Sequence, residues 1–118
     1  MANPTICLVT VEDHGECAVL GVTGEVDVAT SPLLRDALLD PQLDATGLLV
    51  VDMEAVTFLD STGLSALVAG HKRFDRAGGA LHIVVDHPHV MRVLEVTGLH
   101  EALSIFPDVE TACTATAA

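Results

Sequence analysis

Four consecutive aliphatic residues, Leu48-Leu49-Val50-Val51, end abruptly in Asp52. A strand with one wet face alternates apolar and polar side chains, so an unbroken apolar run reads as a strand buried on both faces. The arrangement that buries a strand twice is a parallel sheet covered by helices, and the rest of the chain must supply them. Ahead of the run, Thr5 to Val11 and Ala18 to Gly24 are rich in Val, Leu and Ile and flank the polar segment Glu12 to Glu16. They read as a hairpin turning near His14-Gly15. Next, Ser31 offers a helix cap and Pro32 suits a first helical position; Leu34, Ala37 and Leu38 follow at helical spacing, so a short helix ends near Asp40.

Beyond the run, Val56 to Leu59 leads into Asp60-Ser61-Thr62, several helix caps in succession. Leu64, Leu67, Val68, His71 and Phe74 then recur every three or four residues, which predicts a helix from about Thr62 to Arg76 stopped by Gly78-Gly79. His82 to Val85 reads as another buried strand. Pro88 opens a helix carrying Met91, Leu94 and Glu95 that ends at Gly98, and Leu103 to Phe106 forms a last strand before Pro107. The order predicts an α/β fold: a single domain with a mostly parallel central sheet of about five strands, an N-terminal hairpin and helices packed on it. Its core spans about residues 5–107, and 108–118 is expected as a short helix or a frayed tail, with fraying expected from Thr111 on. At 118 residues such a chain buries about two-thirds of its unfolded surface, enough for one core without staples.

Charge narrows the function classes. Seventeen acids against five bases give a formal net charge of −12, which opposes binding to nucleic acid or an anionic membrane. A basic protein surface is the expected kind of partner, with plain solubility as the alternative. Three of the five bases, Lys72, Arg73 and Arg76, fall in one short stretch, so the remaining surface is more acidic than the average. No apolar run approaches the roughly 20 residues of a bilayer-spanning helix. Met1 to Glu16 has no cationic region ahead of its apolar residues, so a cytoplasmic protein is expected. Cys7, Cys17 and Cys113 form an odd set with no CxxC pair. Across the hairpin, Cys7 should face Val22 or Thr23 rather than Cys17, and reduced thiols are the expectation.

Most catalytic signatures are missing. The chain has no G-x-S-x-G elbow, no phosphate-binding loop, no G-x-G-x-x-G and no H-E-x-x-H. His87 and His89 flank Pro88 at a helix start and His71 lies on an apolar helix face, so neither set reads as metal ligands. No enzyme activity, cofactor or metal is expected. In open α/β sheets, functional loops gather where strands end and helices begin. Two such segments, Gly24 to Pro32 and Phe58 to Leu64, are rich in Asp, Ser and Thr. By spacing alone, Ser61 or Thr62 reads first as a helix cap. A hydroxyl there also sits at the positive end of a helix, beside free backbone N–H groups, where an added phosphate can be carried without unfolding the domain. Gly63 permits close approach of another backbone.

Three segments together carry a family resemblance: Thr23-Gly24-Glu25-Val26-Asp27 with the loop into Pro32-Leu33-Leu34, the run Val50 to Leu64 through Asp60-Ser61-Thr62-Gly63, and Arg92-Val93-Leu94-Glu95-Val96-Thr97-Gly98-Leu99. They resemble the STAS domain and, more narrowly, the bacterial anti-sigma factor antagonists, from about Ile6 to Phe106. The resemblance implies that Ser61 is the phosphoacceptor, modified by a partner anti-sigma factor that is itself an ATP-using serine kinase. Thr62 stands where many members carry a second Ser and is a secondary candidate. Asp27 and Asp60 match the acidic positions beside the serine. With Thr30, Ser31, Ser61, Thr62, Gly63 and Ser65, which replaces a frequent Gly, they form the implied partner-binding set.

The implied function is a charge switch in transcription regulation. Unmodified, the Asp27 and Ser61 edge binds the anti-sigma factor and releases a sigma factor for a stress response. Phosphorylation crowds a phosphate against Asp27 and Asp60 and weakens the complex, and a phosphatase restores binding. Two rivals are a non-switching STAS scaffold in a stress-sensing or transporter-associated complex, and an antagonist gated by oxidation of Cys7, Cys17 or Cys113.

Overall fold

The computed structural model describes residues 8–13 and 17–115. Strand β1 (Leu8–Asp13) runs antiparallel to β2 (Ala18–Val26), and β2, β3 (Leu48–Leu59), β4 (Ala80–Val84) and β5 (Ser104–Phe106) are parallel neighbours in the order β1-β2-β3-β4-β5. Between them lie α1 (Ser31–Leu38), α2 (Ser61–Ala77), α3 (Pro88–Val96) and the short α4 (Leu99–Ala102), and α5 (Val109–Thr114) follows β5. The five strands and the parallel connectivity are those the hydrophobic pattern predicts.

Burial explains why Leu48–Val51 reads as continuously apolar. Leu49 and Val51 join the larger core, with Leu34 and Leu38 of α1, Leu67 and Phe74 of α2, and Val90 and Leu94 of α3. Val50 faces the opposite side, into a smaller cluster with Val19, Val84 and Ala112 of α5. The strand is thus sealed above and below. His82, also on that second face, is buried and places its Nδ1 2.8 Å from the Ala112 carbonyl oxygen, which fixes the Nδ1–H tautomer and seats α5.

Several boundaries move. The strand read at Leu48–Val51 runs on to Leu59 as one element, β3, and an extra β3 residue opposite Gly21–Thr23 and another opposite Gly24–Glu25 let Met53, Val56 and Leu59 all reach the core. Ser31 is not the cap of α1 but its first residue; Thr30 stands at the cap position and spends its hydroxyl elsewhere. Leu8 pairs with Thr23 and Asp13 with Ala18, a register one step beyond the one implied by a turn at His14-Gly15. Cys7 and residues 14–16 lie outside the described residues. The tail does not fray at Thr111: α5 continues to Thr114, opened by the Asp108 carboxylate, which accepts the Thr111 N–H at 2.7 Å.

The expectation of free thiols is overturned for two of the three cysteines. Cys17, at the start of β2, is bridged to Cys113 of α5, with Cα atoms 5.8 Å apart and 96 residues of sequence separation. Only the folding of α5 over the sheet brings them together, which no local spacing announces.

Candidate functional site

Val26 pairs with Leu59, so the chain leaves β2 and β3 at adjacent strand ends and turns into α1 and α2 side by side. The first loop is built by Asp27. Its Oδ1 accepts the N–H groups of Ala29 at 3.0 Å and Thr30 at 3.1 Å, while its carbonyl accepts that of Ser31 at 2.7 Å. Thr30 locks the turn from inside: its hydroxyl donates to the Glu25 carbonyl at 2.8 Å and accepts the Asp27 N–H at 2.9 Å.

Asp60 closes the second loop. Its extended backbone precedes α2, and its Oδ1 accepts the Thr62 N–H at 2.9 Å, the Gly63 N–H at 3.2 Å and the Thr62 hydroxyl at 2.5 Å. Its own N–H donates to the Val26 carbonyl at 3.2 Å, and the Val28 N–H bonds to its carboxylate, so one residue fastens the two loops together. The expectation of several free N–H groups at this helix start is corrected: the cap satisfies those of Thr62 and Gly63, and the Asp60 carbonyl takes that of Leu64 at 3.0 Å. Burial alone would raise the Asp60 carboxyl. The bonds from the Thr62 hydroxyl and from the Gly63, Thr62 and Val28 backbone outweigh it and hold the pKa below the ordinary carboxylate value.

Ser61 is the first residue of α2 and is exposed, and no hydrogen bond within the described residues engages its hydroxyl. Ser65, one turn later, is exposed as well; Asp27, Asp60 and Thr62 are half-buried. The other three members of the expected set face inward. Thr30 and Ser31 are buried in the first loop, and Gly63 is buried where a Cβ would collide with the Leu59 and Val26 side chains. These three shape the edge from behind, and Gly63 serves helix-to-sheet packing rather than the approach of a partner. Val28 and Leu33, 72% and 52% exposed, flank the edge instead, and Phe58, on its β3 side, stacks on His89 at 5.6 Å. Among the described residues no group of His, Cys, Asp and Glu is placed to hold a metal ion.

The capping geometry sets a stability expectation. Asp60→Ala should cost about 1 kcal/mol, lowering Tm by about 4 °C for a domain of this size. Because the folded state holds the carboxyl below its unfolded pKa, the stabilisation is complete above roughly pH 4 and is lost as pH falls through the folded value. Thermal melts from about pH 5 down to 3 should therefore fall less steeply for Asp60→Asn than for the wild type; parallel curves would show that the carboxylate is not what titrates.

The comparisons with known proteins agree in one direction. A family model described as the STAS domain matches residues 9–112. The chain is 32% identical over 114 residues to the anti-sigma-F factor antagonist RsfB of Mycobacterium tuberculosis, covering 97% of this chain and 93% of that protein. It is 30% identical over 86 residues to the anti-sigma-B factor antagonist of Bacillus subtilis, covering 73% and 78%. Among solved structures, an anti-sigma factor antagonist from Mycobacterium paratuberculosis superposes with a TM-score of 0.84 at 31% identity, covering 97% of both chains.

Proposed function

The chain belongs to the STAS domain family, and we propose that it is an anti-sigma factor antagonist whose docking edge, Asp27, Val28, Ser61 and Ser65, is switched off by phosphorylation of Ser61. It acts by binding rather than by turnover. Unmodified, the edge engages an anti-sigma factor and frees the sigma factor that this partner held. The anti-sigma factor, acting as an ATP-using serine kinase, transfers the γ-phosphoryl group to the Ser61 oxygen. The new O–P bond replaces the bond to ADP, and the hydroxyl proton leaves to a base of the kinase. A phosphatase reverses the step by hydrolysis.

The observation that carries this reading is the exposed, unengaged Ser61 hydroxyl on a rigidly capped helix start. Thr62 is a poorer acceptor, because its hydroxyl is half-buried and committed to Asp60 at 2.5 Å. A phosphate on Ser61 brings about −1.5 to −2 charges to an edge that already holds Asp27 and Asp60. The helix start accommodates it within the fold, whereas an interface has to desolvate it among like charges. The cysteine-gated reading gains no support from the bridge: Cys17 lies at the opposite end of β2, roughly 30 Å from Asp27 by strand rise.

Incubation with the cognate anti-sigma factor and ATP tests the assignment. Wild type and Thr62→Ala should take up label, and Ser61→Ala should take up none; labelling of Ser61→Ala at the wild-type rate would move the acceptor elsewhere and leave the scaffold reading in place.

A further inference from the structure

The outward face of α2 carries a second feature, which meets the docking edge only at Ser65. Two open grooves meet on it at Ala69 and Lys72. One, of about 650 Å3, lies between the end of α1 and the last turns of α2, bounded by Leu39, Arg73, Arg76 and Ala77. The other, of about 330 Å3, runs back toward the helix start past Leu64, Ser65 and Val68 to Leu99 of α4. Ser65, Ala69, Lys72 and Arg76 follow at intervals of three or four residues, so together they form one stripe about 16 Å long.

The stripe's charge is opposite to that of the molecule. In a chain with 17 acids and five bases, three of the bases line these grooves and no acid does. Arg73 is partly committed: it donates to the carbonyls of Leu38 at 2.8 Å and Leu43 at 2.6 Å, tying the α1 exit to α2 and building the groove wall. Lys72 and Arg76 are exposed, and neither is paired with an acid among the described residues. They stand one helical turn apart, with Cβ atoms about 6 Å from each other.

We propose that this stripe is a second docking surface that takes an acidic, amphipathic segment of a partner protein. Its carboxylates meet Lys72 and Arg76, and its apolar side chains lie over Leu39, Ala69 and Ala77. Two cations at i and i+4 match carboxylates at the same spacing on a helical segment, and the apolar floor between them suits the other face of such a segment. A small anion is a poorer fit, because small-molecule sites enclose most of their ligand and this groove is long and open. Elsewhere the negative field of the domain repels an acidic chain, which steers it to this face. The surface stands independently of phosphorylation at Ser61.

The probe is a short fluorescent helix-forming peptide with Glu residues at i, i+4 spacing on one face and Leu on the other, titrated with the full chain. Anisotropy should report saturable binding that weakens several-fold from low to physiological salt. Lys72→Glu combined with Arg76→Glu should reduce affinity at least tenfold while leaving Tm unchanged, and so should replacing every Glu of the peptide by Gln. Amide shifts on titration should map to the end of α1 and the outer face of α2. Ser61→Glu should leave peptide affinity within about twofold, which separates this surface from the switch. The proposal is overturned by the absence of binding, by equal binding to the charge-reversed variant, by shifts confined to α3, or by full displacement of the peptide with inorganic phosphate or ADP.

Discussion

Ser61→Glu is expected to melt with the wild type and to bind an anti-sigma factor at least tenfold more weakly. The two halves of that result have different origins. At the first position of α2 a carboxylate sits near the positive end of the helix, so the fold loses nothing and gains a few tenths of a kcal/mol. At the interface the same charge is desolvated beside Asp27 and Asp60, and like-charge juxtaposition there costs several kcal/mol. A tenfold loss needs only about 1.4 kcal/mol, and the full phosphate should exceed it. Ser61→Asn, polar but uncharged, is the control and should retain most affinity. Raising salt should narrow the gap between the Glu variant and the wild type, since part of the repulsion is screened. Equal affinity of the Glu and Asn variants, measured by calorimetry, would remove charge as the basis of the switch.

The second large effect belongs to the bridge. Cys17 and Cys113 close a loop of nearly the whole described chain, with 96 residues of sequence separation. Loop-closure entropy for a cross-link of that span is about 4.7 kcal/mol, and measured bridges commonly contribute about 2–4. Reduction, or Cys113→Ser, should lower Tm by about 10 °C, and a Cys7→Ser variant should leave this difference between oxidised and reduced protein intact. The smaller apolar cluster of Val19, Val50, Val84 and Ala112 should loosen first, because α5 has only six residues to hold it in place. Hydrogen exchange at α5 and β4 would detect this. An unchanged melting curve on reduction would show that packing at Ala112 and the His82 bond suffice.

Much of the architecture was legible because local pattern and tertiary demand coincide. The Leu48–Val51 run is apolar on both sides for the reason it appeared to be, two clusters on two faces. Gly78, at a positive φ of 90°, stops α2 where its position next to Gly79 suggested. What was not legible depends on contacts distant in sequence or on choices among equivalent residues. The length of β3 depends on two bulges of its own, each an extra residue set against β2. Asp60, Ser61 and Thr62 can each cap a helix, and only the strand-end geometry at Val26 decides for Asp60. That decision frees Ser61. The resemblance puts Thr30 and Ser31 in the partner-binding set, but the Asp27 turn folds them inward. Val28 carried no pattern at all; its exposure follows from being the tip of that turn.

Because the Val26 carbonyl and the Asp60 carboxylate clasp both loops, a visiting protein meets an edge already assembled. Docking there would order no segment of this chain, so encounter would proceed as the meeting of two fixed shapes, with long-range attraction setting its speed. Partners that differ in fit should then be told apart by how long they stay rather than by how fast they arrive.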